Sequence, residues 1–186
     1  MWFDPKNGFK IDPLLLERKR ISFTMTTIEN TIVLPKTTPI CYLTGMTALN
    51  IPAPEGTTGD WHFEESFFGR NGIKPKIFVA GKNAALNTHP IWGALGIYDC
   101  SRILRAKGIA IAAEERVYAA NHCRAVLDML YNAIKRKEYP HHIIVDDWLD
   151  IDSERKCLFE NISALIHCLK EDEKIILRSW LKAQHF

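Results

Sequence analysis

Several absences narrow the chemistry of this chain before any motif is found. Neither a G-x-G-x-x-G nor a G-x-x-x-x-G-K-[ST] run occurs, so the glycine-built cradles for dinucleotides and nucleoside triphosphates are missing and no nucleotide cofactor is expected. There is no H-E-x-x-H, no C-x-x-C and no paired Cys/His spacing, which removes the standard zinc patterns. An excess of one charge is lacking too. The 24 Lys and Arg against 22 Asp and Glu leave a formal charge of +2, too little for the basic footprint of a dedicated duplex binder, so nucleic acid is not indicated as a partner. The tight basic clusters, ERKR at 17–20 and KRKE at 135–138, read as solvated helix ends. The amino terminus, MWFDPKNGFKIDPLLLERKR, has an early acid, a turn and no aliphatic or aromatic run beyond three residues, so neither a secretory leader nor a membrane span is expected there. Cysteine is scarce and scattered. Cys41, Cys100, Cys123, Cys157 and Cys168 are odd in number and widely spaced, and are expected as reduced core residues of a cytoplasmic protein.

What is present is the composition of a soluble globular domain: 47% hydrophobic and 25% charged residues over 186 positions, enough to bury a core without crosslinks or metals. No linker or repeat divides the chain, so 1–186 is read as a single domain. Residues 20–80 favour strands. RISFTMTTI, TIVLP, PICYLTGM and KIFVAG are β-branched and aromatic, and Asn, Pro and Gly separate them. NIPAPEGTTGD is an exposed loop by composition, and GRNGIKP carries an Asn-Gly turn signal.

After residue 80 the period changes to that of helices. Pro90 suits a first helical turn, Asp99 a cap for a helix reaching Lys107, and Gly108 the left-handed position past its end. The clearest helix is expected over 114–138, where Ala119, Cys123, Val126, Leu127, Leu130 and Ile134 recur at helical spacing and Arg124 can pair with Asp128 on another face. HHIIVDDWLDID reads as a strand. Asp152 and Ser153 then cap a helix whose stripe is Leu158, Ile162, Leu165 and Leu169, and EKIILRSWLKAQ forms a last, antiparallel helix. The expected class is α+β, a strand-rich half at about 20–80 packed on a helical half. The alternative is an open α/β sheet with a β-α-β-α-β run from about 76 to 146, which requires GIAIA at 108–112 to supply a strand. A helix-turn-helix around Gly108 is disfavoured, because Glu114 falls where an apolar residue is wanted.

The stretch TTGDWHFEESFFG offers the first candidate site. On a strand, Asp60, His62 and Glu64 would share one face and Trp61 and Phe63 the other. A divalent metal held by Asp60 and His62 would need a third ligand from elsewhere, for which His89 is chosen; His122, His141 and His142 are further candidates. The bland alternative is a polar strand face with Trp61 and Phe63 as core anchors.

The fragment RVYAANH, Arg116 to His122, resembles the arginine and histidine of helical HEPN-type ribonucleases. That resemblance implies Arg116 and His122 as phosphate-handling and proton-transferring residues. Six residues at about 100° each would leave the two side chains about 120° apart on a straight helix, however. Val117 also stands where that motif favours a polar residue, and a strand-rich half does not belong to an all-helical family. YDCSR, at 98–102, is better explained by Asp99 as a cap than by Cys100 as a nucleophile. VAGKNAALNTHP lacks the residues of a phosphate loop.

Two functional classes follow. One is a cytoplasmic protein-interaction or regulatory module, such as an antitoxin or a defence accessory protein. It would contact its own copy or another protein through Trp148, flanked by Asp146 and Asp147, and through Trp180 on the last helix. The other is a small metal-dependent or histidine-based hydrolase or nuclease, with His62, His122 and Arg116 as catalytic residues. Convergence of His62, His89 and His122 on one cavity would favour the second; scatter would favour the first.

Overall fold

The computed structural model describes residues 33–57, 59, 62–68 and 75–184, apart from the side chains of Glu64 and Glu65. The expected strand at 20–28 lies outside these residues. Two expected strands are present as short ladders, β1 (Cys41–Leu43) and β2 (Val79–Gly81), paired antiparallel with Tyr42 opposite Ala80. Two more, β3 (Ile97–Asp99) and β4 (Tyr118–Ala120), complete a mixed sheet of order β2-β1-β4-β3, in which β1 and β4 run parallel and β3 and β4 antiparallel. The architecture is α+β, but the sheet draws one of its two central strands from the second half of the chain rather than from 20–80.

Alternation along these strands divides the core in two. Tyr42 and Ala120 face a layer built with Val126, Leu127, Leu130, Leu158, Leu165, Leu177 and Trp180. Leu43, Val117 and Ala119 face the opposite side, against Ile51, Phe63, Phe67, Cys100 and Leu104. The connecting helices are short: α1 (Gly45–Leu49), α2 (Phe63–Phe67), α3 (His89–Trp92) and α4 (Ser101–Ala106). Pro90 lies in the first turn of α3, and Gly108 follows α4 at φ +88. The Asp99 carboxylate accepts from the backbone and the hydroxyl of Ser101, holding the start of α4 as a cap would.

Three longer helices cover the first face: α5 (His122–Lys135), α7 (Asp152–Cys168) and α8 (Glu171–Ala183), with the single-turn α6 (Val145–Trp148) before them. α7 makes the most extensive contact with α5, and α8 also leans on α5, so the apolar stripe of the carboxyl-terminal helices closes on α5.

Four expectations are corrected. The long helix starts at His122, not 114. Asn121 is its N-cap, accepting from the Arg124 N–H, while Tyr118–Ala120 pair as strand between β1 and β3. Residues 109–112 form no strand and 141–148 become a turn and α6, so the β-α-β-α-β alternative fails. Phe63–Phe67 is helical, with the i and i+4 phenyl rings stacked at 4.6 Å between centroids, so the polar-strand explanation of this segment does not hold. Cys123 and Cys157, expected as free thiols, form a disulfide between α5 and α7 across a Cα separation of 6.3 Å.

The expected Arg124–Asp128 pair is present and fully buried. All five guanidinium donors are used: Nε to Asp128, one terminal nitrogen to the carbonyls of Gly93 and Leu95, the other to Tyr42 Oη and Thr88 Oγ1. Asp128 also accepts from the Thr44 hydroxyl at 2.6 Å and from Thr88. Burial, reinforced by Asp128, pushes the Tyr42 hydroxyl up to about 12. One buried clamp thus ties β1, the 88–95 turn and α5 together.

Candidate functional site

The clamp fixes the frame in which a cavity of about 490 Å³ opens. One wall comes from the end of α1 and the loop after it, through Leu49, Asn50, Thr57 and Gly59. His62 and His122 stand in the next, and the far wall is the 142–150 segment, with His142, Asp146, Asp147, Trp148 and Asp150.

Each wall is held by specific bonds. Asn50 donates to the Met46 carbonyl at 2.7 Å and accepts from the His62 backbone N–H at 3.0 Å, tying the entry to α2 to the end of α1. Gly59 sits at φ +60, and a Cβ there would meet the carbonyl oxygens of Ile51 and Leu49 at 2.7 and 2.8 Å, so the loop closes this tightly only with glycine. The far wall is pinned by Trp148 Nε1 to the His142 carbonyl, Trp180 Nε1 to the Ile143 carbonyl, the Val145 N–H to Gln184, and Arg155 Nε to the Leu149 carbonyl.

His122 is the first residue of α5 and is 2% exposed. Its Nε2 lies 2.9 Å from the Ile51 carbonyl, and its Nδ1 has no hydrogen-bond partner among the described residues. A carbonyl can only accept, so Nε2 carries the proton and a neutral His122 keeps its lone pair on Nδ1.

Glu154, in the first turn of α7, is buried behind this wall. One oxygen accepts from the Thr57 hydroxyl at 2.7 Å and the other has no partner among the described residues. Burial raises the Glu154 carboxyl above the usual carboxylate range; the Thr57 hydrogen bond and His122 oppose the rise, while Glu55 and Asp150 add to it. Glu55 is itself bound by the amide of Asn121, the cap beside His122.

The residues singled out from sequence separate into two groups. His62 and His122 share the cavity with Asp146, Asp147 and Trp148. The others stand elsewhere. Arg116 precedes β4 and pairs with Asp99 at 3.1 Å, outside the cavity and off the helix that carries His122, so the arginine and histidine do not form the HEPN-type pair. His89 opens α3 and does not line the cavity with His62. Asp60 lies outside the described residues, and among those described no set of three or more His, Cys, Asp or Glu side chains is arranged to hold a metal. Trp180 is a core residue at 1% exposure, which leaves it no surface to offer a partner. Burial pushes the Cys100 thiol up to about 12, the opposite of a reactive thiolate.

Sequence reasoning passed over Glu154, Thr57 and Asn50. Glu154 had a signal: it stands four residues before Leu158, in register with the apolar stripe of α7, where a carboxylate is out of place without a partner. Compared with protein-family models, curated proteins and solved structures, the chain matches none.

Proposed function

We propose that the cavity is the active site of a small hydrolase in which His122 is the general base. The observation that carries this reading is the single bond of the imidazole. Nε2 is committed to the Ile51 carbonyl, so the basic Nδ1 of this cavity-lining residue is left without a partner among the described residues. The large majority of buried side-chain polar atoms have a hydrogen-bond partner, which makes an open imidazole nitrogen a functional signal.

In the reaction, Nδ1 takes one proton from a water molecule as its oxygen attacks the electrophilic carbon of the substrate. The imidazolium then returns that proton to the leaving group as the bond to it breaks. His62 and His142 supply further imidazoles for proton exchange with solvent, and the buried Glu154 stabilises the imidazolium while it exists. Lys and Arg are missing from the described lining, so an amide or ester suits the site better than a phosphodiester, whose charge would face carboxylates.

The test is a panel of chromogenic esters, anilides and phosphodiesters assayed with the wild type, His122→Gln and His89→Gln. Turnover of an ester or anilide that falls by at least about 100-fold in H122Q and stays unchanged in H89Q is expected. Absence of turnover in the wild type, or turnover that H122Q retains, would overturn the assignment.

A further inference from the structure

We infer that the ligand of this cavity is a small organic cation, carrying an amine or guanidinium group, read by Asp147, Asp150 and the face of Trp148. The inference names the substrate class of the site proposed above and rests on the cavity being a substrate site.

Charge is the first ground. Asp146, Asp147 and Asp150 line the cavity together, and no Lys or Arg does so among the described residues. Asp146 is partly neutralised by Arg155 at 3.5 Å. Among the described residues Asp147 and Asp150 form no ion pair, so their carboxylates give the described lining an excess of negative charge. Anionic and phosphate-bearing ligands are repelled by that field, and cations are drawn in.

The second ground is independent of these carboxylates. The buried Nδ1 of His122, a residue of the cavity lining, is without a hydrogen-bond partner among the described residues. In its neutral form Nδ1 is an acceptor and calls for a donor. Ammonium and guanidinium groups are donors only.

Two further features select an organic cation over a bare metal ion. Trp148 is held by its indole N–H to the His142 carbonyl, which fixes its ring in the cavity wall as a surface for a cation or its methylenes. A volume of about 490 Å³ lies within the range of about 300–1,000 Å³ usual for small-molecule sites and is far larger than one ion requires. The far wall is pre-positioned by the four hydrogen bonds that pin residues 142–149, so little ordering accompanies binding.

The experiment is isothermal titration calorimetry of the full chain with agmatine, with spermidine, with a neutral diol of matching length and with Mg²⁺. Each is repeated on an Asp147→Asn/Asp150→Asn double variant and on Glu114→Gln as a control outside the cavity. Saturable binding of agmatine or spermidine is expected. It should weaken with added salt, weaken at least about tenfold in the double variant, and persist in E114Q, with no binding of the diol. No amine binding, equal binding of the diol, amine binding that the double variant retains, or binding of Mg²⁺ in place of the amine would overturn the inference. Amine binding without hydrolysis of any substrate removes the general-base assignment alone. Hydrolysis that depends on His122 with no preference for amines removes this inference alone.

Discussion

Replacing Arg124 with methionine keeps most of the buried stem and deletes five donors at once. Asp128 would stay in a site with no solvent exposure, holding only the hydroxyls of Thr44 and Thr88, and the carbonyls of Gly93 and Leu95 would lose their partner. Breaking a buried pair from one side costs about 3–5 kcal/mol, because the remaining charge is desolvated and uncompensated. For a chain of this length each kcal/mol moves the unfolding midpoint by about 2–4 °C, so R124M should melt about 6–20 °C below the wild type. The cost is a large share of the about 5–15 kcal/mol that folded domains have in total. Circular dichroism, followed through heat and through urea, measures it. The double variant R124M/D128L removes both charges and should lose clearly less than the sum of the two single variants, although it leaves the Thr44 and Thr88 hydroxyls without their acceptor. An R124M protein within about 1 kcal/mol of the wild type, or strictly additive losses in the cycle, would refute the reasoning that the clamp is a mutually dependent unit.

Two further outcomes follow from the same structure. Glu154 has a folded-state pKa raised by burial, so the folded protein retains a proton that the unfolded chain releases near the ordinary glutamate value of about 4.3. Its contribution is therefore fully present below that value and is lost as pH rises through the folded-state pKa. Glu154→Gln should flatten this part of the stability profile, measured by urea unfolding across pH 4 to 8; an unchanged slope would contradict the burial account. The Cys123–Cys157 disulfide closes a loop of 34 residues, for which chain entropy gives about 3–4 kcal/mol. Calorimetry with and without reductant should register that loss, and Cys123→Ser/Cys157→Ser should reproduce it and abolish the response to reductant.

Periodicity carried the long elements and failed on the short ones. α7 was legible because Leu158, Ile162 and Leu165 recur at helical spacing and Asp152 and Ser153 stand at its start. β4 was not, because a three-residue strand inside VYAANH has no period of its own. Its conformation comes from partners about twenty residues away in the case of β3 and more than seventy in that of β1. The DWHFEESF segment fits both periods over a few residues. What decides for helix is Phe67, four residues after Phe63, which stacks on it in the second core layer. The cavity was half legible. His62 and His122 were picked for their chemistry and Trp148 with its aspartates as a contact surface, but that these belong to one place depends on the turn at 141–144, where a strand was expected. The disulfide escaped for a similar reason: 34 residues separate two cysteines that neighbouring helices bring together.

Three consecutive residues at the start of α5 answer to three different neighbourhoods. His122 enters the cavity, Cys123 is bonded to α7, and Arg124 fills the buried clamp. A helix turns by about 100° per residue, so inserting or deleting one residue in this turn would rotate all three out of place together. Mutational drift can therefore reshape the cavity through the 142–150 rim, which carries no such triple duty, far more readily than through this turn. Descendants of this chain with altered specificity should keep 121–124 intact and differ along the acidic wall, so the first turn of α5 acts as a ratchet on which changes the molecule can explore.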